Sequence, residues 1–326
     1  MRFALYLLIT SCFISCRDSG ISYEPIPEES GFRMEDYWVW GGSVIKVDSL
    51  YHMFASRWIK DRMFPENYRE NSEIVRAVAN SPMGPYEFIE VVIGERDSAF
   101  WDSNMAHNPT IHKIGDEYVL FYIGSDFTTI LPGTESLKRR VGYAAASDIS
   151  GPWMRSDKPL IEDESNNPAI LQEAGRIKLV YRDHDLRVYL AGSESYRGPF
   201  SIINDNVWPN NRIEDFYLYQ KKDRICLVCE DNSGAISGHE RWGVELFTQD
   251  GGISWNKSDP VVFYDHTLFY PGNYSLLCTR RERPQLLIEN GLITYLFTGV
   301  FDGKDSWCQP VKLSRPVKTS NLSFSP

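Results

Sequence analysis

Alternating apolar and polar residues, in pairs of short runs joined by a tight Gly/Asp-type turn, recur five times along this chain. They read GSVIKVDSLYHMFAS from Gly42, NPTIHKIGDEYVLFY from Asn108, NPAILQEAGRIKLVY from Asn167, EDFYLYQKKDRICLV from Glu214 and ERPQLLIENGLITYLF from Glu282. A period of two argues for strands, and the turn residues between the runs argue for hairpins. After four of these units comes a small-residue strand and a second tight turn: ANSPMGPYEF from Ala79, AASDISGPWM from Ala145, AGSESYRGPF from Ala191 and FTQDGGISW from Phe247. Two hairpins per unit, repeated at intervals of roughly 45 to 70 residues, predict four-stranded blades arranged radially. The expected fold is all-β, a five-bladed β-propeller over residues 35–318, with no long amphipathic helical pattern anywhere.

The ends of the chain read differently. Arg2 followed by the apolar run Phe3 to Ile14 is too short to span a bilayer and has the form of a signal peptide over residues 1–16. The Ser15-Cys16 junction looks like a bacterial lipobox, although Phe13 stands where leucine is usual. It makes Cys16 the expected lipidation site, with the membrane as a partner through an N-terminal lipid anchor and the bacterial cell envelope, periplasmic or outer-membrane-anchored, as the location. Residues 17–34, rich in Pro, Glu and Ser, are expected to be a flexible tether, and residues 319–326 a C-terminal tail.

The 326 residues, 42% hydrophobic and 13% aromatic, suffice for a large core in one domain. A net charge of -10 argues against a nucleic-acid partner, which needs a basic surface, and suits a neutral polar ligand such as a sugar. Cys226 and Cys229, three apart on one strand, face opposite sides of the sheet and neither bridge nor share a metal. Cys278 and Cys308 flank the last hairpin, where pairing is open. No cysteine or histidine spacing resembles a zinc site.

Antiparallel pairing brings the start of each first strand and the end of its partner to one face of the disc. Trp40-Gly41-Gly42 with Arg57-Trp58, His107-Asn108 with Ser125-Asp126, Asn166-Asn167 with Arg182-Asp183-His184, Glu214-Asp215 with Glu230-Asp231, and Glu282-Arg283 with Phe301-Asp302 are therefore expected around one mouth. This set is far more polar than the strands that carry it, and strand-end polar residues at a mouth are free of packing duty. Asp116, Asp223 and Asp250 sit in hairpin turns and read as structural.

The repeated hairpins, the Asn-Pro and Glu-Asp strand openings, and the Ser-Pro-x-Gly-Pro and Ser-Asp-x-x-Gly-Pro-Trp turns resemble the five-bladed propeller glycosidases related to glycoside hydrolase family 43, the arabinanase, xylosidase and levansucrase-like group. The resemblance spans roughly Asp36 to Val317. It implies a glycosidase acting on a plant or algal poly- or oligosaccharide, with a carbohydrate substrate and no required cofactor; some of these propellers hold a calcium ion in the central channel, which the sequence leaves open. It also implies that Glu214, opening blade four, is the general acid. The aspartates that the family places at the openings of blades one and three are replaced by Gly42-Ser43 and Asn167-Pro168, and an amide cannot act as a base. Asp102, beside Trp101, and Asp36, just ahead of blade one, are the candidates for the vacant base. Glu282, flanked by arginines, is expected to stay ionised.

Trp40, Trp58 and Trp101 are candidates to stack on a sugar or else to pack between blades. His107, Asn108 and Asn167 are candidates to bind hydroxyls, and Arg57, Arg182, Arg241 and Arg283 to grip an anionic sugar or else to pair with carboxylates such as Asp215. Two alternatives to hydrolysis follow: a non-catalytic carbohydrate-binding lipoprotein, suggested by the missing aspartates, and a phosphate-dependent phosphorylase, suggested by the arginines.

Overall fold

Each predicted pair of hairpins forms one antiparallel sheet in the computed structural model, which describes residues 20–209 and 211–320. Blade one is β1 (Tyr37–Val47), β2 (Leu50–Ile59), β3 (Glu73–Ala79) and β4 (Glu87–Ile93); blade two is β5 (Met105–Ile114), β6 (Glu117–Ser125), β7 (Arg140–Ala146) and β8 (Met154–Arg155). Blade three is β9 (Asn166–Glu173), β10 (Arg176–Arg182), β11 (Val188–Ser193) and β12 (Ser201–Asn204), and blade four is β13 (Ile213–Lys221), β14 (Arg224–Asp231), β15 (Trp242–Thr248) and β16 (Asn256–Tyr264). A small hairpin, β17 (Thr267–Phe269) and β18 (Ser275–Leu277), precedes blade five, which has three strands: β19 (Arg280–Glu289), β20 (Leu292–Phe301) and β21 (Ser306–Lys318). The first strands β1, β5, β9, β13 and β19 touch one another in turn around a central axis, β19 closing back on β1. The protein is a five-bladed β-propeller.

Burial follows position in the blade. Residues 51–58 of β2 are buried without interruption because a neighbouring blade covers each face, whereas outer strand β4 is largely exposed. Successive residues of β14 face different neighbours, so Cys226 packs with blade five and Cys229 with blade three, as the alternation predicts. All four described cysteines are free and buried; Cys278 and Cys308 are unpaired, and Cys308 Sγ instead accepts a hydrogen bond from Gly42 N at 3.1 Å.

The N-terminal segment departs from expectation. Residues 20–34 do not behave as a tether: they lie against β21, with antiparallel bridges Tyr23 to Leu313 and Phe32 to Cys308. Ile26 and Phe32 are each 1% exposed, and Tyr23 Oη donates to Phe263 O at 2.7 Å. The segment stands where a fourth strand of blade five would, covering an edge that would otherwise offer unpaired backbone groups. The apolar residues Ile21, Tyr23, Ile26 and Phe32 outweigh the local Pro and Glu content in deciding this. Cys16, the signal segment and residues 321–326 lie outside the described residues.

Candidate functional site

The mouth owes its geometry to an irregularity repeated in every blade. Pairing between the first two strands breaks register after Trp40, His107, Glu214 and Glu282, and in blade three next to Asn166. A bulge of this kind turns two consecutive side chains away from the normal alternation. The residue at each break has a left-handed backbone: Gly41 at φ 61°, Asn108 at 54°, Asn167 at 54°, Asp215 at 57° and Arg283 at 57°. Two concentric rings result. Trp40, His107, Asn166, Glu214 and Glu282 line a mouth cavity of about 140 Å³, and the left-handed residues form an inner ring about the axis.

One side of the mouth is aromatic. Trp40 and Trp58 line it as expected, joined by Phe64, Pro65 and Tyr68 from the connection between β2 and β3. Phe64 stacks on Phe301 at 4.4 Å between ring centres and leans on Trp40 at 5.0 Å and Trp58 at 5.7 Å. Periodicity carries no signal for this wall, because the connection between Ile59 and Glu73 is irregular apart from one helical turn at Tyr68–Asn71. His107 joins the wall, 4.8 Å from the Tyr68 ring, with Nδ1 2.7 Å from Ser72 Oγ. Burial, helped by the charges of Arg283 and Arg139, pushes its pKa down to about 3, so the imidazole is neutral at neutral pH.

The opposite side is charged. Glu214 accepts from Arg182 Nη2 at 2.7 Å and from Asn232 Nδ2 at 2.6 Å. Both oxygens thus act as acceptors, the hydrogen-bonding pattern of a carboxylate. Glu282 is held by Arg280, through Nε at 2.6 Å and Nη2 at 2.9 Å, and by Arg241 Nη2 at 2.6 Å. Its sequence neighbours do not serve it: Arg281 turns away to Asp265 O and Thr267 O, and Arg283 turns to the axis. Arg139, unforeseen from sequence, also lines the mouth and is paired with Glu164.

Beneath this layer lie two carboxyls with far fewer partners. Asp215 accepts one backbone hydrogen bond, from Arg283 N at 3.2 Å, and the Arg283 guanidinium stays 3.8 Å away. Burial pushes its pKa up to about 7; Arg283 opposes the shift, and the charges of Glu214 and Glu282 add to it. Glu230 is fully buried, and neither of its oxygens accepts a hydrogen bond among the described residues, although Arg241 Nη2 lies 3.2 Å from Oε1. Burial, with the charges of Glu282, Asp215 and Glu214, pushes Glu230 well above the usual carboxylate range. Carboxylate oxygens of Asp215, Glu230 and Glu282 lie within 4.8 Å of one another. The same Arg241 Nη2 reaches Glu282 at 2.6 Å, Glu230 at 3.2 Å and Glu214 at 4.0 Å.

Four expected site residues stand elsewhere. The Asp102 side chain has no solvent exposure; it accepts from Arg96 Nε at 2.6 Å, Arg155 Nη2 at 2.6 Å and Tyr122 Oη at 2.6 Å, so it fixes blade two and cannot serve as a base. Trp101 lies flat against β7, where a Cβ on Gly142 would fall 2.1 Å from its ring, and donates to Ser156 O. Arg57 points to the other face of β2 from Trp58, paired with Glu73 at 2.7 Å between the rings of Tyr37 and Phe88. Asp36 is exposed ahead of β1 and does not line the mouth. Asn108 and Asn167 do line it, bonded to each other through Nδ2 and Oδ1 at 2.8 Å.

No protein-family model matches the sequence, and no curated protein sequence matches it. The fold is shared with solved structures. A family 117 glycoside hydrolase produced by the marine bacterium Zobellia galactanivorans superimposes with a TM-score of 0.64 at 15% identity, over 90% of each chain. An α-L-arabinofuranosidase from Podospora anserina, in complex with cellotriose, gives 0.62 at 12% identity over 86% of this chain and 91% of that one. A family 43 β-xylosidase/α-arabinofuranosidase from a compost microbial metagenome, in complex with xylotriose and in calcium-free form, gives 0.60 at 14% identity over 87% and 94%. At these identities the likeness establishes the propeller fold.

Proposed function

We propose that this protein is a glycoside hydrolase that holds a saccharide between the aromatic wall and the charged wall of the mouth. Asp215 is its proton donor and Glu214 the carboxylate that works opposite it. The observation that carries the reading is the contrast between two adjacent residues of β13. Both oxygens of Glu214 accept side-chain hydrogen bonds, while Asp215 has, among the described residues, only the Arg283 backbone N–H as donor, its pKa is pushed up to about 7 by burial, and it still borders the cavity. Burial that raises a carboxyl's pKa suits it to hold and donate a proton. The assignment moves the proton from Glu214, the donor expected from sequence, to the next residue. The glycosidase reading, apart from the choice of donor, is supported by the solved propellers of the same fold, two of which are glycosidases bound to oligosaccharides.

The test is product release from a panel of plant and algal oligosaccharides, comparing wild type with Asp215→Asn and Glu214→Gln. General acid–base help is worth about 100- to 10,000-fold, and both variants are expected to fall by that order. Full turnover in Asp215→Asn overturns its role as donor.

A non-catalytic sugar-binding role is favoured by one observation: blades one and three present Trp40 and Asn166 to the mouth, and Glu282 is locked between two arginines. Saccharide binding by calorimetry, without product after long incubation, selects that reading. Phosphorolysis draws no comparable support, since Arg139, Arg182, Arg241 and Arg280 are each engaged with a carboxylate. Anchoring at the bacterial envelope through Cys16 belongs to the same proposal; loss of lipid labelling in Cys16→Ala tests it.

A further inference from the structure

An ion on the propeller axis would have to sit among the inner-ring residues, and the described residues there do not fit one. Asn108, Asn167 and Asp215 offer oxygens, but Arg283 from blade five turns inward and is fully buried. Its Nη2 donates to Asn108 O at 3.2 Å and its backbone N to Asp215 Oδ2 at 3.2 Å, so one residue joins blades two, four and five. Blade one leaves room for it. A Cβ on Gly41 would lie in van der Waals contact with Arg283 Cγ at 3.5 Å and Asn108 Oδ1 at 3.4 Å, so the stem of the arginine packs directly beside this glycine. A left-handed backbone is common for Gly, Asn and Asp but costs about 1 to 3 kcal/mol at other residues.

We infer that the Arg283 guanidinium is the axial cation of this propeller, a covalently held charge in the place where related folds can hold a metal ion. The inference meets the hydrolase reading at Asp215, whose raised pKa Arg283 opposes, but it is read by calcium and stability and not by turnover, so either can fail without the other. Carboxylate oxygens of Asp215, Glu230 and Glu282 converge beside that ring, where Arg241 serves Glu230 and Glu282 and Arg283 lies 3.8 Å from Asp215. Deleting the guanidinium leaves a cavity lined by oxygen donors, which is what calcium takes.

Melting temperature with calcium or with EDTA reads this without any activity assay. Wild type is expected to melt at the same temperature in both. Arg283→Met is expected to melt about 5 °C or more lower, since it loses the buried hydrogen bond to Asn108 O and the cation of the inner ring, and to regain part of the loss in calcium. Arg283→Lys, which keeps a charge, is expected to remain insensitive to calcium. Calcium raising, or EDTA lowering, the wild-type melting temperature overturns the inference, as does an Arg283→Met protein that is as stable as wild type or destabilised but deaf to calcium. Should Arg283→Met fail to fold, the wild-type comparison, together with calorimetric titration of Arg283→Lys with calcium, decides: binding by either protein refutes the guanidinium as the resident cation.

Discussion

Asp102 and Asp215 are both buried aspartates beside arginines, yet they are built for opposite tasks. Asp102 is saturated: two guanidinium groups and a tyrosine hydroxyl donate to it from three directions, and no water reaches it. Asp215 has one backbone donor, a guanidinium just out of hydrogen-bonding range, and two carboxylates for neighbours. A saturated carboxylate has no lone pair left for a ligand or a proton, so its energy goes into holding strands together. An under-served one at the edge of a cavity can exchange a proton. Proximity to arginine, which is all a sequence displays, does not distinguish the two; the count of donors that arrive does.

The sharpest way to break this contrast is a pair of amide substitutions. Asp215→Asn should reduce turnover by about 100- to 10,000-fold with the fold intact. Asp102→Asn should leave saccharide affinity unchanged while lowering unfolding free energy by about 3 to 5 kcal/mol in denaturant titration, the usual cost of breaking a buried ion pair. If Asp102→Asn instead abolishes turnover in a stable protein, the two sites have been assigned the wrong way round.

The pH dependence sharpens it further. A donor that titrates at about 7 must carry its proton, so kcat/KM should fall as pH rises through about 7. Stability carries the same signature. Between the unfolded value near 4 and the native value of about 7, the native state binds more protons at Asp215, so stability falls as pH rises across that window. Asp215→Asn should remove this decline. His107 acts at the other end. Its native value of about 3 lies below the unfolded value near 6.5, the unfolded state binds more protons between them, and stability falls as pH drops through that range. His107→Gln should flatten this acid limb in melts taken from pH 7 to pH 4.

The smallest effects concern the aromatic wall. Trp40→Ala should weaken saccharide binding by about 2- to 10-fold, in line with about 0.5 to 1.5 kcal/mol for an aromatic contact. Arg57→Ala, on the far face of β2, should not change affinity in the same titration. Equal losses from both would mean that the wall contributes only to the fold.

The blades were legible because they repeat: Val, Ile, Leu and Phe at every second position can be satisfied only by strands, and five such units close into a ring. Glu214, His107, Asn108, Asn167, Arg182 and Glu282 were found at the mouth for the same reason, since strand ends converge wherever the strands do. Asp102, Trp101 and Arg57 were misplaced because which face of a strand or loop meets the axis depends on local register, and bulges reset it. Phe64 and Tyr68 are not legible in the sequence, because the connection that carries them is too short and irregular to show a period. The N-terminal segment misled by its composition, since four apolar side chains suffice to seat it on β21.

Alternation and turn chemistry are local, and they dictated strands, hairpins, the number of blades and the set of strand ends that meet. How many donors reach each carboxyl, which arginine fills the axis and which aspartate keeps its proton depend on side chains brought together from different blades. Desolvation and charge act through space, so only closure of the ring decided them.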